Sequence, residues 1–213
     1  TEGNGWQYTW LVPQDVEGLI RLMGGDEAFT RKLDSLFTAE GNMGAQASSD
    51  ISGLIGMYAH GNEPSHHVTY MYPFAGYQWK TAEKVRQVMK AFYFDKPDGL
   101  AGNEDCGAMS SWYVFSSLGF YPENSASGIY VLGSPLFDKA VIKTGNKTFT
   151  VQTIGNSAAN IYIQRVTLNG KPYRKSFITH QDIVNGGTMV VTMGSKPNYE
   201  FGKAKEDRPS NTL

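Results

Sequence analysis

Residues 101–122, AGNEDCGAMSSWYVFSSLGFYP, hold much of what the chain reveals about its fold. Asn103, Glu104 and Asp105 stand between Gly102 and Gly107, and a run rich in Trp, Tyr, Phe, Met and Leu follows. The run stops at Gly119, a residue suited to the left-handed exit of a helix. Its side chains are apolar or small nearly all round, which predicts an inner, buried helix. Asp105 falls at or just before the N-cap, with Cys106 and Gly107 in the first turn, so one reading is a capping aspartate. Two adjacent acids beside a buried element are costly unless a cation or a substrate compensates them. The other reading is therefore functional: the pair holds a metal, or one acid activates a water. The flanking glycines let backbone approach a ligand closely. Cys106 has no Cys–His motif around it and reads as a small packing residue.

Upstream of this stretch the chain is helical in pattern. DVEGLIRLMGG starts with Asp15 as an N-cap and stops at Gly24 and Gly25. DEAFTRKLDSLF starts at Asp26 and spaces Phe29, Leu33, Leu36 and Phe37 along one helix face. WKTAEKVRQVMKAFYF places Val85, Val88, Met89 and Phe92 on a second face and leaves Lys80, Lys84 and Arg86 for solvent. Downstream of about residue 125 the texture changes. IYVLG, KAVIK, KTFTVQTI, NIYIQRVTLNG and TMVVTMG are β-branched and aromatic, punctuated by Gly145–Asn146, Gly155–Asn156 and Asn169–Gly170. That half predicts an antiparallel sheet or small sandwich, with a turn at Gly186–Gly187 and a tail over the last dozen residues. The fold class is thus mixed α and β, with a helical part over 1–125 and a β-rich part over 126–213.

The bulk numbers fit an ordered globular chain. It has 213 residues, 13% aromatic and 18% charged, with a net charge of −1. No basic excess marks a nucleic-acid partner, and no apolar run approaches the roughly 20 residues of a membrane span. Cys106 is the single cysteine, so no intrachain disulfide can form. The chain opens on TEGNGWQYTW without an initiator Met and is expected to be a piece of a longer one.

Two further constellations carry candidate chemistry. In TEGNGWQYTWLVPQD, Glu2 neighbours Trp6, Tyr8 and Trp10. A carboxyl among indole rings in a dry cleft has a raised pKa, as a general acid needs; a solvated Glu is the plainer reading. In AHGNEPSHHVTYMYPFAG, Asn62 and Glu63 are adjacent oxygen donors on a turn fixed by Gly61 and Pro64, beside His60, His66 and His67. Oxygen donors suit calcium, the histidines suit zinc, and a turn cap at the start of a helix near Pro64 explains the same residues structurally.

Together these motifs, in this order, resemble glycoside hydrolase family 92, the calcium-dependent exo-acting α-mannosidases. EGNGWQYTWLVPQD, GNEPSHHVTYMYPFAG, GNEDCGAMSSWYVFSSLGFYP and YVLGSPLFDKAVI carry the resemblance, and LNGKPYRKSFITHQDIVNGG resembles the family's C-terminal stretch. The resemblance implies the later helices of an (α/α)6 barrel followed by a β-rich region, with the N-terminal β-sandwich and early barrel helices absent. That chain alone would expose apolar surface where the absent helices dock. It implies inverting hydrolysis of α-mannosides with Glu2 as general acid and Asp105 as general base. It implies a calcium ion on Asn62, Glu63 and Asp105, and substrate contacts from Trp6, His60, Asn103 and Glu104. Some family members carry Asp where this chain has Asn103. The implied partners are a mannose-containing glycan, such as an N-glycan foraged by bacteria, and the missing N-terminal half. The implied location is periplasmic or secreted.

Overall fold

The computed structural model describes residues 2–41, 43 and 47–211. A one-turn helix α1 (Gly5–Tyr8) leads into α2 (Val16–Leu22) and α3 (Asp26–Thr38). Asp15 caps α2 by accepting from Gly18 N–H at 2.7 Å, and the predicted face of α3 is the buried one. A short hairpin, β1 (Leu54–Ile55) and β2 (Tyr58–Ala59), follows. The segment after Pro64 departs from the expected helix. It forms three 3-10 turns, Glu63–Ser65, Val68–Tyr70 and Tyr72–Ala75, two of them with a proline in their first positions, and ends at Gly76 with φ +83°. Proline supplies no N–H to continue the preceding turn.

The long helix α4 (Gln78–Phe92) buries Val85, Val88 and Met89, as its spacing predicts. Lys80, Lys84 and Arg86, expected at solvent, are half-buried instead. Lys80 pairs with Asp34 at 2.8 Å, Lys84 lies over the Phe37 ring, and Arg86 donates to Ser134, to the Pro135 carbonyl and to Asn156. These side chains tie α4 to α3 and to the strands, which a helical wheel cannot register. The next helix, α5 (Ala108–Leu118), is not buried all round. It buries Met109, Trp112, Ser116 and Ser117, while Ser110, Ser111 and Val114 are exposed. Val114, Phe94 and Leu100, all exposed, join Tyr93 and Tyr113 in an open apolar groove of about 330 Å³.

The β-rich part holds two sheets. One is antiparallel, β3 (Phe120–Tyr121), β4 (Ile129–Leu132) and β9 (Phe177–Thr179), in the order β3-β4-β9. The other contains β5 (Lys139–Thr144), β6 (Lys147–Ile154), β7 (Tyr162–Leu168), β8 (Lys171–Tyr173) and β10 (Gly187–Gly194), in the order β5-β6-β10-β7-β8. It is antiparallel except where β10 lies parallel to β6, and that pair corrects the all-antiparallel expectation. The excursion through β7, β8, β9 and the short helix α6 (His180–Val184) supplies the long crossover a parallel pair needs.

Two apolar clusters result. One gathers Trp10, Phe29, Leu33, Tyr58, Tyr72, Val88 and Trp112 among others; the second gathers Phe120, Phe149, Val166, Met189 and their neighbours. The last residues are a strap rather than a tail. Arg208 pairs with Asp26 at 2.7 Å, and Asn211 accepts from Val16 N–H and donates to the Pro13 carbonyl. Among the described residues, no helix is long and apolar enough to cross a membrane.

Candidate active site

Three sequence motifs meet through backbone contacts. The hairpin β1–β2 extends by two hydrogen bonds, His60 N–H to the Gly53 carbonyl and Gly61 N–H to the Ser52 carbonyl, each 3.0 Å. This sets Gly61 against Gly102 so closely that a Cβ on Gly102 would lie 2.3 Å from the Gly61 carbonyl oxygen and 2.6 Å from its Cα. The two Gly-Asn-Glu sequences, 61–63 and 102–104, are therefore packed backbone against backbone. Asn62 then reaches the third motif, its amide donating to the Glu2 carbonyl at 3.1 Å. Gln7, on α1, adds a second tie by donating to the Met57 carbonyl.

Each expected residue has a definite place. Glu2 is exposed, and the dry aromatic cleft expected around it is not formed by the described residues. Trp10 is fully buried against Phe29, and Trp6 is half-buried with the Lys32 ammonium 4.5 Å over its ring. Asn62 is buried and caps its own turn, its side-chain oxygen accepting from Glu63 N–H at 3.0 Å. Glu63, Asn103 and Asp105 are exposed.

Asp105 is not the helix cap. The N-cap of α5 is Gly107, which makes no side-chain bond. The capping carboxylate belongs to Glu104, which accepts from Ser110 N–H at 2.9 Å and from Ser110 Oγ at 2.5 Å. Those bonds hold its pKa below the usual carboxylate value. Asp105, Cys106 and Gly107 instead take three successive positive φ angles, +38°, +57° and +85°. Two non-glycine residues in that region signal strain, which concentrates at functional sites. Cys106 is exposed rather than packed.

The histidines are structural in their visible contacts. His60 is fully buried, with Nδ1 2.8 Å from Tyr58 Oη and Nε2 2.7 Å from Tyr93 Oη. Tyr93 donates its only proton to the Met109 carbonyl, so His60 Nε2 carries the ring proton and Nδ1 accepts from Tyr58. This hydrogen-bonded relay, with His60 stacked on Phe92 and edge-on to Tyr93 and Trp112, couples the 60–63 turn to the start of α5. His66 donates to the His60 carbonyl and His67 to the Trp10 carbonyl. Burial holds all three neutral, His66 down to about 4. Both ring nitrogens of His60 are engaged, so a zinc ion on that ring would have to displace a tyrosine.

One residue has no sequence signal. Glu123 follows Pro122 after β3 and is 5% exposed. Its Oε1 has no partner, and burial, eased by a hydrogen bond from Asn211, pushes the carboxyl up to about 8. It lines the same cavity as Glu63. Nothing in FYPEN marks this Glu, because a distant strap residue and the fold around it set its burial.

Residues 1–195 match the family model described as the glycosyl hydrolase family 92 catalytic domain. A protein of Arthroderma benhamiae, described as an uncharacterized secreted glycosidase, is 35% identical over 98% of this chain and 25% of its own. A family 92 α-mannosidase of Bacteroides thetaiotaomicron, solved with mannoimidazole, is 42% identical with a TM-score of 0.92, covering 97% of this chain and 27% of that one. An inverting mannosidase of the same species is 38% identical with a TM-score of 0.87, covering 100% of this chain and 30% of that one. The chain thus spans between a quarter and a third of the length of these relatives. Sequence and structure agree that it belongs to glycosyl hydrolase family 92.

Proposed function

We propose that the chain supplies the catalytic carboxylates of a calcium-dependent exo-α-mannosidase that hydrolyses terminal α-mannosides with inversion. The observation that carries this reading is the convergence at one locus: Gly61 against Gly102, and Asn62 bonded to the Glu2 backbone. Motifs separated in sequence meet, and each brings a carboxylate. Glu2 is the general acid, protonating the leaving oxygen. Asp105 is the general base, accepting a proton from the attacking water. Inversion needs the two roughly 6.5–9.5 Å apart, with room for that water. Asp105 stands in the left-handed run before α5, exposed, while Glu104 supplies the carboxylate that bonds the helix's first turn.

Calcium fits the site in kind. Glu63 and Asp105 are exposed carboxylates, and the Asn62 side-chain oxygen lies on the same turn as Glu63. Among the described residues no group of three His, Cys, Asp or Glu could hold an ion unaided. Glu63, Asp105 and Asn62 would therefore share an ion with backbone carbonyls and water, the oxygen-rich set calcium prefers. When bound, the ion supplies a Lewis acid for sugar hydroxyls. Trp6, His60, Asn103 and Glu104 act on the substrate side, His60 from behind by fixing the turn. The rest of an (α/α)6 barrel covers the apolar groove on α5. The 1–125 and 126–213 parts work as one body, and the protein acts outside the cytoplasm, as the secreted description of its relative supports.

The test is mannose release from α-1,2-, α-1,3- and α-1,6-mannobiose by the complete gene product, in EDTA and after calcium is restored. Release that vanishes in EDTA, returns with calcium and falls at least a thousandfold in Glu2→Gln and Asp105→Asn supports the reading. Full activity in either variant overturns its assignment, and mannose binding without turnover makes the protein a lectin.

A further inference from the structure

Tyr93 directly follows α4 and lies in none of the motifs that mark the site. Its backbone pairs with Leu100 in an isolated antiparallel bridge, reinforced by Phe94 N–H on the Gly99 carbonyl at 3.0 Å. Its hydroxyl accepts from His60 Nε2 at 2.7 Å and donates to the Met109 carbonyl at 3.0 Å. Its ring stacks on Trp112 and Tyr113 of α5. One residue therefore holds both ends of the 101–107 loop, at Leu100 and Met109, and the entry to the 61–63 turn as well.

The Gly61–Gly102 contact is a single point, about which the two segments could still pivot. A calcium ion on Asn62, Glu63 and Asp105 draws oxygens from both segments, so its affinity depends on the angle between them as well as on their approach. The Tyr93 hydroxyl adds a second tie between the same segments, displaced from the first, and it hangs from the end of a helix of 15 residues. Two separate ties remove the pivot that one leaves. His60 and Met109 are fully buried, so water is not at hand to replace the bonds if the hydroxyl is lost.

We propose that Tyr93 is a positioning residue whose hydroxyl locks the 60–63 turn to the 100–109 segment and so presets the calcium site. The proposal rests on the mannosidase reading and deepens it. Tyr93 acts through His60 and Met109, not by touching the ion or the sugar.

Tyr93→Phe deletes the hydroxyl and keeps the ring stacks and the Leu100 bridge. Tyr58→Phe is the control, since it removes the outer hydrogen bond on His60 and leaves Tyr93 joined to His60 and Met109. Each variant strands a buried polar group and should melt below the wild type without calcium. In the complete gene product, calcium titrated by calorimetry should bind Tyr93→Phe at least tenfold more weakly, the order that hydrogen bonds behind metal ligands carry. It should bind Tyr58→Phe within threefold of wild type. A purely structural role would lower both melting temperatures and leave both affinities unmoved. A loss smaller than tenfold in Tyr93→Phe, or an equal loss in Tyr58→Phe, overturns the proposal. His60→Phe breaks the same link from the turn side and carries the test if Tyr93→Phe does not fold. If the wild type binds no calcium, the calcium reading fails separately, and turnover of mannobiose decides for Tyr93. A kcat at least tenfold lower in Tyr93→Phe and within threefold of wild type in Tyr58→Phe then sustains it; any smaller difference overturns it. A wild type with neither calcium binding nor turnover sinks both readings.

Discussion

Asp105 and Cys106 hold backbone angles that cost an L side chain roughly 1–2 kcal/mol each. Glycine has no such penalty, so Cys106→Gly should stabilise the protein by about 1 kcal/mol and leave turnover unchanged. Thermal unfolding checks this, and a fall in melting temperature would show that the thiol contributes more than the strain removes. Of the two readings that the sequence leaves open for Asp105, the capping one is excluded. An acid before an apolar run normally caps the helix, and residue preferences do not foresee three left-handed residues in succession. They foresee equally little that Glu104 reaches forward to Ser110. Glu123 lay further out of reach, because its burial depends on Asn211 and Tyr121 rather than on its neighbours in the chain.

Between elements, the contact that assembles the site is Gly61 against Gly102. Gly102→Ala would drive a methyl into the Gly61 backbone, which has no side chain to swing aside. It should lower kcat/KM at least a hundredfold, because a displacement of about 1 Å at a reacting group has effects of that order. Gly107→Ala is the control. It meets no atom within 4 Å and suffers only its φ of +85°, so it should cost about 1 kcal/mol of stability and less than tenfold in rate. Similar rates in the two variants would show that the glycine contact does not align the motifs. Local signals served well where geometry is local. Asn169–Gly170 forms the two-residue turn between β7 and β8 with both φ positive, as the dipeptide announces. The β6–β10 pair was hidden, since a period of two says which face is buried but not which way the neighbour runs.

For the whole molecule, buried titratable groups set the pH range of stability. His66 and His67 are held neutral below their ordinary pKa, so unfolding takes up protons and stability falls as pH drops below about 6.5. Glu123 has the opposite sign. It stays protonated in the fold up to about 8, whereas an unfolded Glu ionises near 4.3. Its contribution is present at low pH and is lost progressively up to pH 8. Stability should peak near pH 6.5 and decline to pH 8 by up to about 1.4 kcal/mol per unit. Glu123→Gln should flatten that decline while leaving the acid limb intact. Calorimetric melting at pH 5, 6.5 and 8 tests both limbs, and an unchanged alkaline slope in the variant would assign it elsewhere.

The strap at 208–211 closes on residues near the opposite end of the chain. A ribosome delivers Asn211 long after Pro13 and Val16 have emerged. The first helices can collapse during synthesis, yet the Val16 N–H and the carboxylate of Asp26 find their final partners only once residues 208–211 are out. The early part of the nascent chain is thus left provisional, open to rearrangement or to chaperones, until translation of this region ends.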